Sequence, residues 1–289
     1  MRLEWLQRMM DAIDRIERGM EERFDIEEIA KAACVSPFHF QRMFLMLTGM
    51  TVGEYVRKRR LTLAAQELAT SSVKVIDVAL KFGYESPEAF AKAFRKVHGV
   101  SPSEARAPGV RLKAFPRISF HLSLKGDKDM DYRMVDREAF DIVGKVLSVS
   151  CKDGENLRRI PQFWAECDAD GTVARLVSIA EDDELLGVCM DMQPSQEEFK
   201  YMIACRGGAA GDLPDGWERR TVPASTWAVF TSVGPMPNAI QDLFARIFQE
   251  WFPATGYEHT GAPEMEVYPP GDPNDPGYRT EVWIPIAKK

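Results

Sequence analysis

The sequence predicts two domains of different class: an all-α first half with a repeated helix-turn-helix outline, and an α+β second half built on an antiparallel sheet. Three observations carry the prediction. At 289 residues the chain exceeds what one hydrophobic core usually organises. Apolar residues recur at three- and four-residue steps up to about residue 107 and alternate in many later segments. The charge divides as well: residues 1–115 hold 19 Lys and Arg against 15 Asp and Glu, a net of +4, and the remainder carries −11. The overall net charge of −7 therefore describes neither half.

Several classes are excluded at the outset. No stretch approaches the roughly 20 apolar residues that a bilayer span needs. The N-terminus, Met1-Arg2-Leu3-Glu4-Trp5, lacks the apolar core and cleavage site of a secretory signal, so a cytoplasmic protein is expected. Five cysteines, at 34, 151, 167, 189 and 205, suit neither a disulfide framework nor a zinc knuckle and are expected as reduced, buried thiols. The four histidines, at 39, 98, 121 and 259, show no metal-ligand spacing, and HExxH, G-x-S-x-G and phosphate-loop patterns are missing. No metal and no cofactor are expected.

The first helix runs from Leu3 to Met20, with Met9, Ile13 and Ile16 on one face. A second opens at Asp25, with Glu28 completing a capping-box-like pair. After a break at Cys34-Val35, Ser36-Pro37 places an N-cap hydroxyl before a proline at the first helical position, and Phe40, Met43, Phe44 and Leu47 give the third helix its core stripe until Gly49. The same outline recurs about fifty residues later: Val78-Ala79, Ser86-Pro87, Phe90, Lys92, Phe94 and Gly99 repeat Ile29-Ala30, Ser36-Pro37, Phe40, Arg42, Phe44 and Gly49. Between the copies, Val52–Ala69 reads as a spacer helix of about 27 Å at 1.5 Å per residue, with Arg57-Lys58-Arg59-Arg60 partly outward. Two recognition helices on such a spacer fit successive major-groove segments about 34 Å apart. Ser101 and Glu104 then form a capping box for a last short helix.

These residues resemble the AraC/XylS family of transcription regulators, whose DNA-binding domain is two helix-turn-helix units joined by a long helix. The resemblance covers about residues 5–107 and is most specific from Ile76 to Arg106, through Phe82-Gly-Tyr-Glu-Ser-Pro-Glu88 and His98-Gly-Val-Ser-Pro. It implies that Phe38, His39, Gln41 and Arg42 face the groove in the first unit, and Pro87, Glu88, Ala89 and Lys92 in the second. Arg and Gln each form two hydrogen bonds with one base, discriminating by roughly 1–3 kcal/mol. Glu88 suits either acceptance from a cytosine amino group or a dipole role in the first helical turn. Arg57 is either a phosphate contact or part of a solvated basic turn, and His39 a base reader or a surface cap. Cys34 stands where the second unit has Gly83, which calls for a less extreme backbone angle there.

Breakers at Pro108-Gly109 and Pro116 mark residues 108–128 as a connector, with a strand-like insert at Ile118–Leu124. Beyond it, strands are expected at Tyr132–Val135, Phe140–Val149, Leu185–Met190 and Lys200–Cys205, with a helix at Asn156–Cys167. A similar order follows: strands Trp217–Pro223 and Thr226–Ser232, helix Ala239–Phe252, strands Pro263–Tyr268 and Arg279–Ile286. Two β-α-β-type halves suggest an antiparallel sheet with helices on one face and a ligand-sized concavity at the seam. In the last strand Val282, Ile284 and Ile286 share a face, leaving Glu281 and Trp283 on the other. Glu266 with Tyr268, and Phe199 with Tyr201, show the same spacing of two. Carboxylates framed by aromatic rings suit a lipophilic cation, at roughly 0.5–2 kcal/mol per ring.

Residues 129–288 resemble the GyrI-like small-molecule-binding domain found on Rob-type regulators, through Val143-Gly144, Leu186-Gly187-Val188-Cys189, Phe199-x-Tyr201, Trp227-Ala-Val-Phe, Glu266-x-Tyr268 and Glu281-Val-Trp283-Ile-Pro-Ile. The resemblance implies a ligand site of Glu281, Trp283, Tyr201, Phe199, Glu266, Tyr268 and Trp164, with Glu281 on the final strand engaging the ligand; a salt-bridged Glu281 away from any ligand is the alternative. The expected organisation is thus a DNA-binding domain at 1–107, a linker at 108–128 and an effector-binding domain at 129–289. Together they imply a ligand-responsive regulator that binds promoter DNA and a hydrophobic or cationic effector, with RNA polymerase as a further partner. Two other classes use the same second half: a hydrolase of strained xenobiotics with Glu281 and Tyr201 as acid and base, and a protein-interaction module that needs no ligand.

Overall fold

Helix caps and breakers set the first elements where the periodicity places them. The computed structural model describes residues 2–119, 130–151, 154–192, 198–207 and 213–288. Its first helices are α1 (Arg2–Arg18), α2 (Ile26–Ala32), α3 (Pro37–Thr48), α4 (Val52–Thr70), α5 (Val75–Lys81) and α6 (Pro87–His98). The Asp25 side chain accepts from the Glu27 amide at the start of α2, while Glu28 pairs with Arg15 at 2.7 Å instead of closing a capping box. Ser86 caps α6 by accepting from the Ala89 amide, and Gly99 ends that helix at φ 80°. Ser101 and Glu104 do form the reciprocal box, over a single 3-10 turn, Glu104–Arg106. Cys34 takes φ 55°, left-handed like Gly83 at 77°, so the turn bends a non-glycine into the glycine region.

The chain divides into two compact units, Met1–Pro37 with Val52–Leu124, and Phe38–Thr51 with Lys125–Lys289. This departs from the expected boundary at residue 107 in one element: α3 groups with the sheet. In the first unit α4, α5 and α6 enclose Leu61, Leu68, Val78, Phe82, Phe90 and Phe94. Most of the spacer's basic run is structural. Arg59 donates to both Glu17 oxygens at 2.8 and 2.7 Å, Arg60 donates to the Met20 carbonyl at 2.8 Å, and Lys58 pairs with Glu54 at 2.6 Å. Only Arg57 of the four is exposed. Part of the expected connector also belongs to this core, since Leu112 packs on it and the Phe115 amide donates to Thr62 Oγ1 at 2.9 Å. Most of the strand-like insert Ile118–Leu124 lies outside the described residues.

The second unit carries strands β1 (Tyr132–Arg137), β2 (Phe140–Ser150), β3 (Leu185–Met190), β4 (Glu198–Arg206), β5 (Trp217–Val222), β6 (Ser225–Val233), β7 (Tyr257–His259), β8 (Glu264–Tyr268) and β9 (Arg279–Lys288). They pair antiparallel in the order β1-β6-β9-β8-β3-β4-β2-β5, with β7 on β9. Helices α7 (Glu155–Ala169), α8 (Thr172–Ile179) and α9 (Asn238–Arg246) cover one face, α9 running on through a π-type turn at Ile247–Trp251. The sequence reading has no counterpart for α8 or for three-residue β7. On the uncovered face, Val135 of β1 and Trp227 of β6 join Ile142 of β2 and Val222 of β5 in one apolar cluster, and Arg137 lies 4.6 Å over the Phe140 ring. Strands from opposite ends of the order therefore meet, and the sheet curls around its own core.

Candidate functional site

Pairing register decides which side chains reach the ligand site. Residues paired across a ladder share a face, and those one position along point the other way. Glu266 pairs with Val282 and Gly187, and Glu281 with Val267. Glu264, Glu266 and Tyr268 thus stand on the helix-covered face with Cys189 and Tyr201, while Glu281 and Trp283 stand on the inner face of the curl with Met265 and Val267.

The helix-covered side holds a cavity of about 950 Å³, within the range of small-molecule sites. Trp164 of α7, Phe199 of β4, Tyr268 of β8 and Phe244 of α9 supply apolar wall, and Glu266 supplies its carboxylate. Tyr201 Oη donates to Glu266 Oε2 at 2.6 Å and Tyr268 Oη donates to the same oxygen at 2.9 Å. Trp164 Nε1 donates to Tyr201 Oη at 2.9 Å, and its ring meets Tyr268 edge-on at 5.0 Å. Both phenols thus anchor one oxygen, which leaves Oε1 with no partner among the described residues. Gly187 makes this convergence possible: a Cβ there would fall 2.1 Å from Tyr201 Oη and 2.4 Å from Glu266 Oε2.

The site's electrostatics follow from enclosure. Burial pushes the Glu266 carboxyl up to about 7 against its two phenol hydrogen bonds, and neighbouring Glu264 adds to the rise. Burial and Glu266 also raise both Tyr201 and Tyr268, which stay neutral donors. Glu264 behaves oppositely. Burial would raise it, but Arg42 and His259 hold it down at about 2. Arg42 Nε and Nη2 donate to its two oxygens at 2.7 and 2.5 Å, in a two-bond fork with both side chains buried. His259 Nδ1 accepts the Gly261 amide, and its Nε2 lies 3.0 Å from Glu264 Oε1.

Four of the seven expected ligand-site residues, Glu266, Tyr268, Phe199 and Trp164, line the cavity, and Tyr201 stands behind them, hydrogen-bonded to Glu266 and Trp164. Glu281 and Trp283 do not, and the expectation for them is corrected. Glu281 accepts two hydrogen bonds from Arg133 at 2.7 and 2.8 Å and one from Trp283 Nε1 at 3.0 Å; despite burial, these hold its carboxyl below the ordinary value. It is the salt-bridged residue of the alternative reading. Sequence reasoning missed Glu264 and Gly187. Glu264 has Glu266's parity on β8, which was a readable signal, whereas Gly187 faces Glu266 only through the β3–β8 register, which no local signal gives.

The residues expected at DNA divide between two environments. Glu88, Ala89 and Lys92 on α6, and Arg57 on α4, are exposed. On α3, Phe38 and Gln41 are half-buried while His39 and Arg42 are buried. His39 is thus not a surface cap: its Nδ1 accepts the His259 amide at 3.1 Å and its ring meets Phe252 at 4.7 Å. Cys34 is exposed, unlike Cys151, Cys167 and Cys205, which are buried.

The GyrI-like small molecule binding domain family matches residues 130–287, more than half of the chain, and a helix-turn-helix domain family matches residues 29–107. The regulatory protein SoxS of Salmonella typhimurium is 38% identical over 94 residues, which are 32% of this chain and 88% of SoxS. The chain belongs to the AraC-type helix-turn-helix regulators and carries a GyrI-like domain. One similarity runs along the whole chain: the right origin-binding protein of Escherichia coli is 23% identical over 290 residues, covering 96% of this chain and 97% of that protein. Among solved structures, SAV2435 bound to tetraphenylphosphonium is 25% identical with a TM-score of 0.50, covering 55% of this chain and 94% of SAV2435. No helix among the described residues is long and apolar enough to cross a membrane.

Proposed function

We propose that this AraC-type, GyrI-like protein is a transcription regulator of the bacterial cytoplasm whose cavity takes a lipophilic cation, with Glu266 as the anchoring carboxylate. The observation that carries this reading is a carboxylate fixed by Tyr201 and Tyr268 in an aromatic wall of a cavity of about 950 Å³. A bulky organic cation gains from charge pairing with Glu266 and from the ring faces, without needing directional donors. Tetraphenylphosphonium, seen on SAV2435, has that chemistry. Promoter DNA is the second ligand, met by the exposed residues of α6 and α4 and by α3, with RNA polymerase as the further partner that promoter regulation calls for. No catalytic step is assigned to the cavity.

Two titrations of the full chain test this reading. Binding to duplex DNA should weaken as salt rises, with log K linear in log salt, and calorimetry should give one saturable site for tetraphenylphosphonium per chain. A chain that binds no duplex at low salt, or takes up the cation without saturation, is not this regulator.

A further inference from the structure

The two DNA-reading helices of the repeat are not equivalent here. On α6 the reading positions Glu88, Ala89 and Lys92 are exposed. On α3 the corresponding side chains are held by the sheet unit. Arg42 has both ends of its fork on Glu264, at 2.7 and 2.5 Å, and its guanidinium lies 5.2 Å over the Phe248 ring and 6.0 Å over that of Phe244. His39 accepts the His259 amide, and the Phe38 ring lies 4.9 Å from that of His259.

We propose that the Arg42–Glu264 pair is an autoinhibitory latch: the sheet unit captures the base-reading arginine of α3, and the protein reads DNA with α3 only when the pair opens. The fork that Arg42 spends on Glu264 is the one it needs for the O6 and N7 acceptors of a guanine, so the two bonded states exclude one another. The seat suits a guanidinium: two carboxylate oxygens accept its two donors, the Phe244 and Phe248 rings lie beneath the cation, and His259 Nε2 lies 3.0 Å from the carboxylate. Its position also couples it to the cavity. Glu264 and Glu266 are two apart on β8 and share a face, and Arg42, Leu45 and Met46 of α3 line the cavity. A cation on Glu266 therefore sits in the same enclosure as the Arg42 charge, where like charges repel far more strongly than in water. Ligand and latched arginine oppose each other, so the cation opens the latch. This opening step rests on the cation reading above; the latch itself does not.

The test has one arm for each. A duplex is selected from a random-sequence pool by the wild-type full chain, and its affinity for wild-type and Glu264→Gln chains is measured without ligand. A reading helix free a tenth of the time or less costs about tenfold in affinity, so the variant should bind roughly tenfold tighter or better. Equal or weaker binding by a variant that still shows wild-type circular dichroism overturns the latch. The second arm needs no variant: amide exchange of residues 38–48 in the wild-type chain should quicken by roughly tenfold on saturation with tetraphenylphosphonium. Unchanged or slower exchange with the cation bound overturns the opening step. If calorimetry finds no bound cation, the cavity reading fails alone, and the Glu264→Gln comparison still decides the latch.

Discussion

Glu266 faces Val282 across the β8–β9 ladder, and Glu281 faces Val267, so the two carboxylates stand on opposite sides of one sheet. Sequence resemblance pointed to Glu281 as the ligand carboxylate, and the ladder places it on the face away from the cavity, so the proposal rests on Glu266. Glu266→Gln should weaken tetraphenylphosphonium binding by roughly tenfold or more, about 1.4 kcal/mol, with Glu281→Gln within twofold of wild type. Calorimetry on the two variants checks this; the reverse order would restore Glu281.

Proton competition follows from the same carboxyl. With Glu266 pushed up to about 7 and Glu264 held at about 2, only Glu266 of this pair titrates near neutrality. A cation binding its ionised form must displace a proton at lower pH. Affinity should therefore fall about tenfold from pH 8 to pH 6 and flatten above pH 8. The effect on the fold has its own sign. A carboxyl raised from 4.5 to about 7 binds its proton more tightly when folded, so its contribution to stability is full below 4.5 and is lost as pH rises to about 7. Glu266→Gln should remove both dependences.

Gly187 offers a steric check. Gly187→Ala puts a methyl group where Tyr201 Oη and Glu266 Oε2 meet. The phenol and carboxylate must separate, at a cost of about 1–3 kcal/mol in stability, and cation affinity should drop with it. Thermal melts and calorimetry read the two effects. A variant with wild-type melting and affinity would mean that the Tyr201–Glu266 hydrogen bond does not matter for either.

Lys92 and Arg57 are exposed on α6 and α4, and both are proposed to meet DNA. If each neutralises one phosphate, Lys92→Ala and Arg57→Ala should each lower the slope of log K against log salt by about 1. Glu88→Ala should leave that slope unchanged, because Glu88 contributes no phosphate contact.

Much of this protein was legible in its sequence, because caps, breakers and periodicities are local. Ser86-Pro87 fixed the start of α6, and the alternation in Arg279–Ile286 located β9 to within two residues of its end. Parity along each strand was also correct: Val282 and Ile284 lie under the helices, and Glu281 and Trp283 point away. What local signals lack is cross-strand register, so nothing within either strand told whether Glu266 shares a face with Glu281 or with Val282. The burial of Arg42 was invisible for a related reason. Its partner Glu264 lies 222 residues away, and a basic residue at a reading position looks the same in sequence whether it is solvated or paired. Arg59 and Arg60, spent on Glu17 and the Met20 carbonyl, repeat that lesson within the spacer helix.

Occupancy of the cavity is expected to change the use of the DNA-reading helices. The most direct measurement of that change is the affinity of the wild-type full chain for one selected duplex, at fixed salt, without and with saturating tetraphenylphosphonium. Binding free energies are reciprocal, so a cation that favours the DNA-bound form must raise duplex affinity, by about fivefold or more for a coupling of about 1 kcal/mol. That rise is the expected result, as is its loss in Glu266→Gln. Identical affinities with the cavity shown to be filled would contradict it.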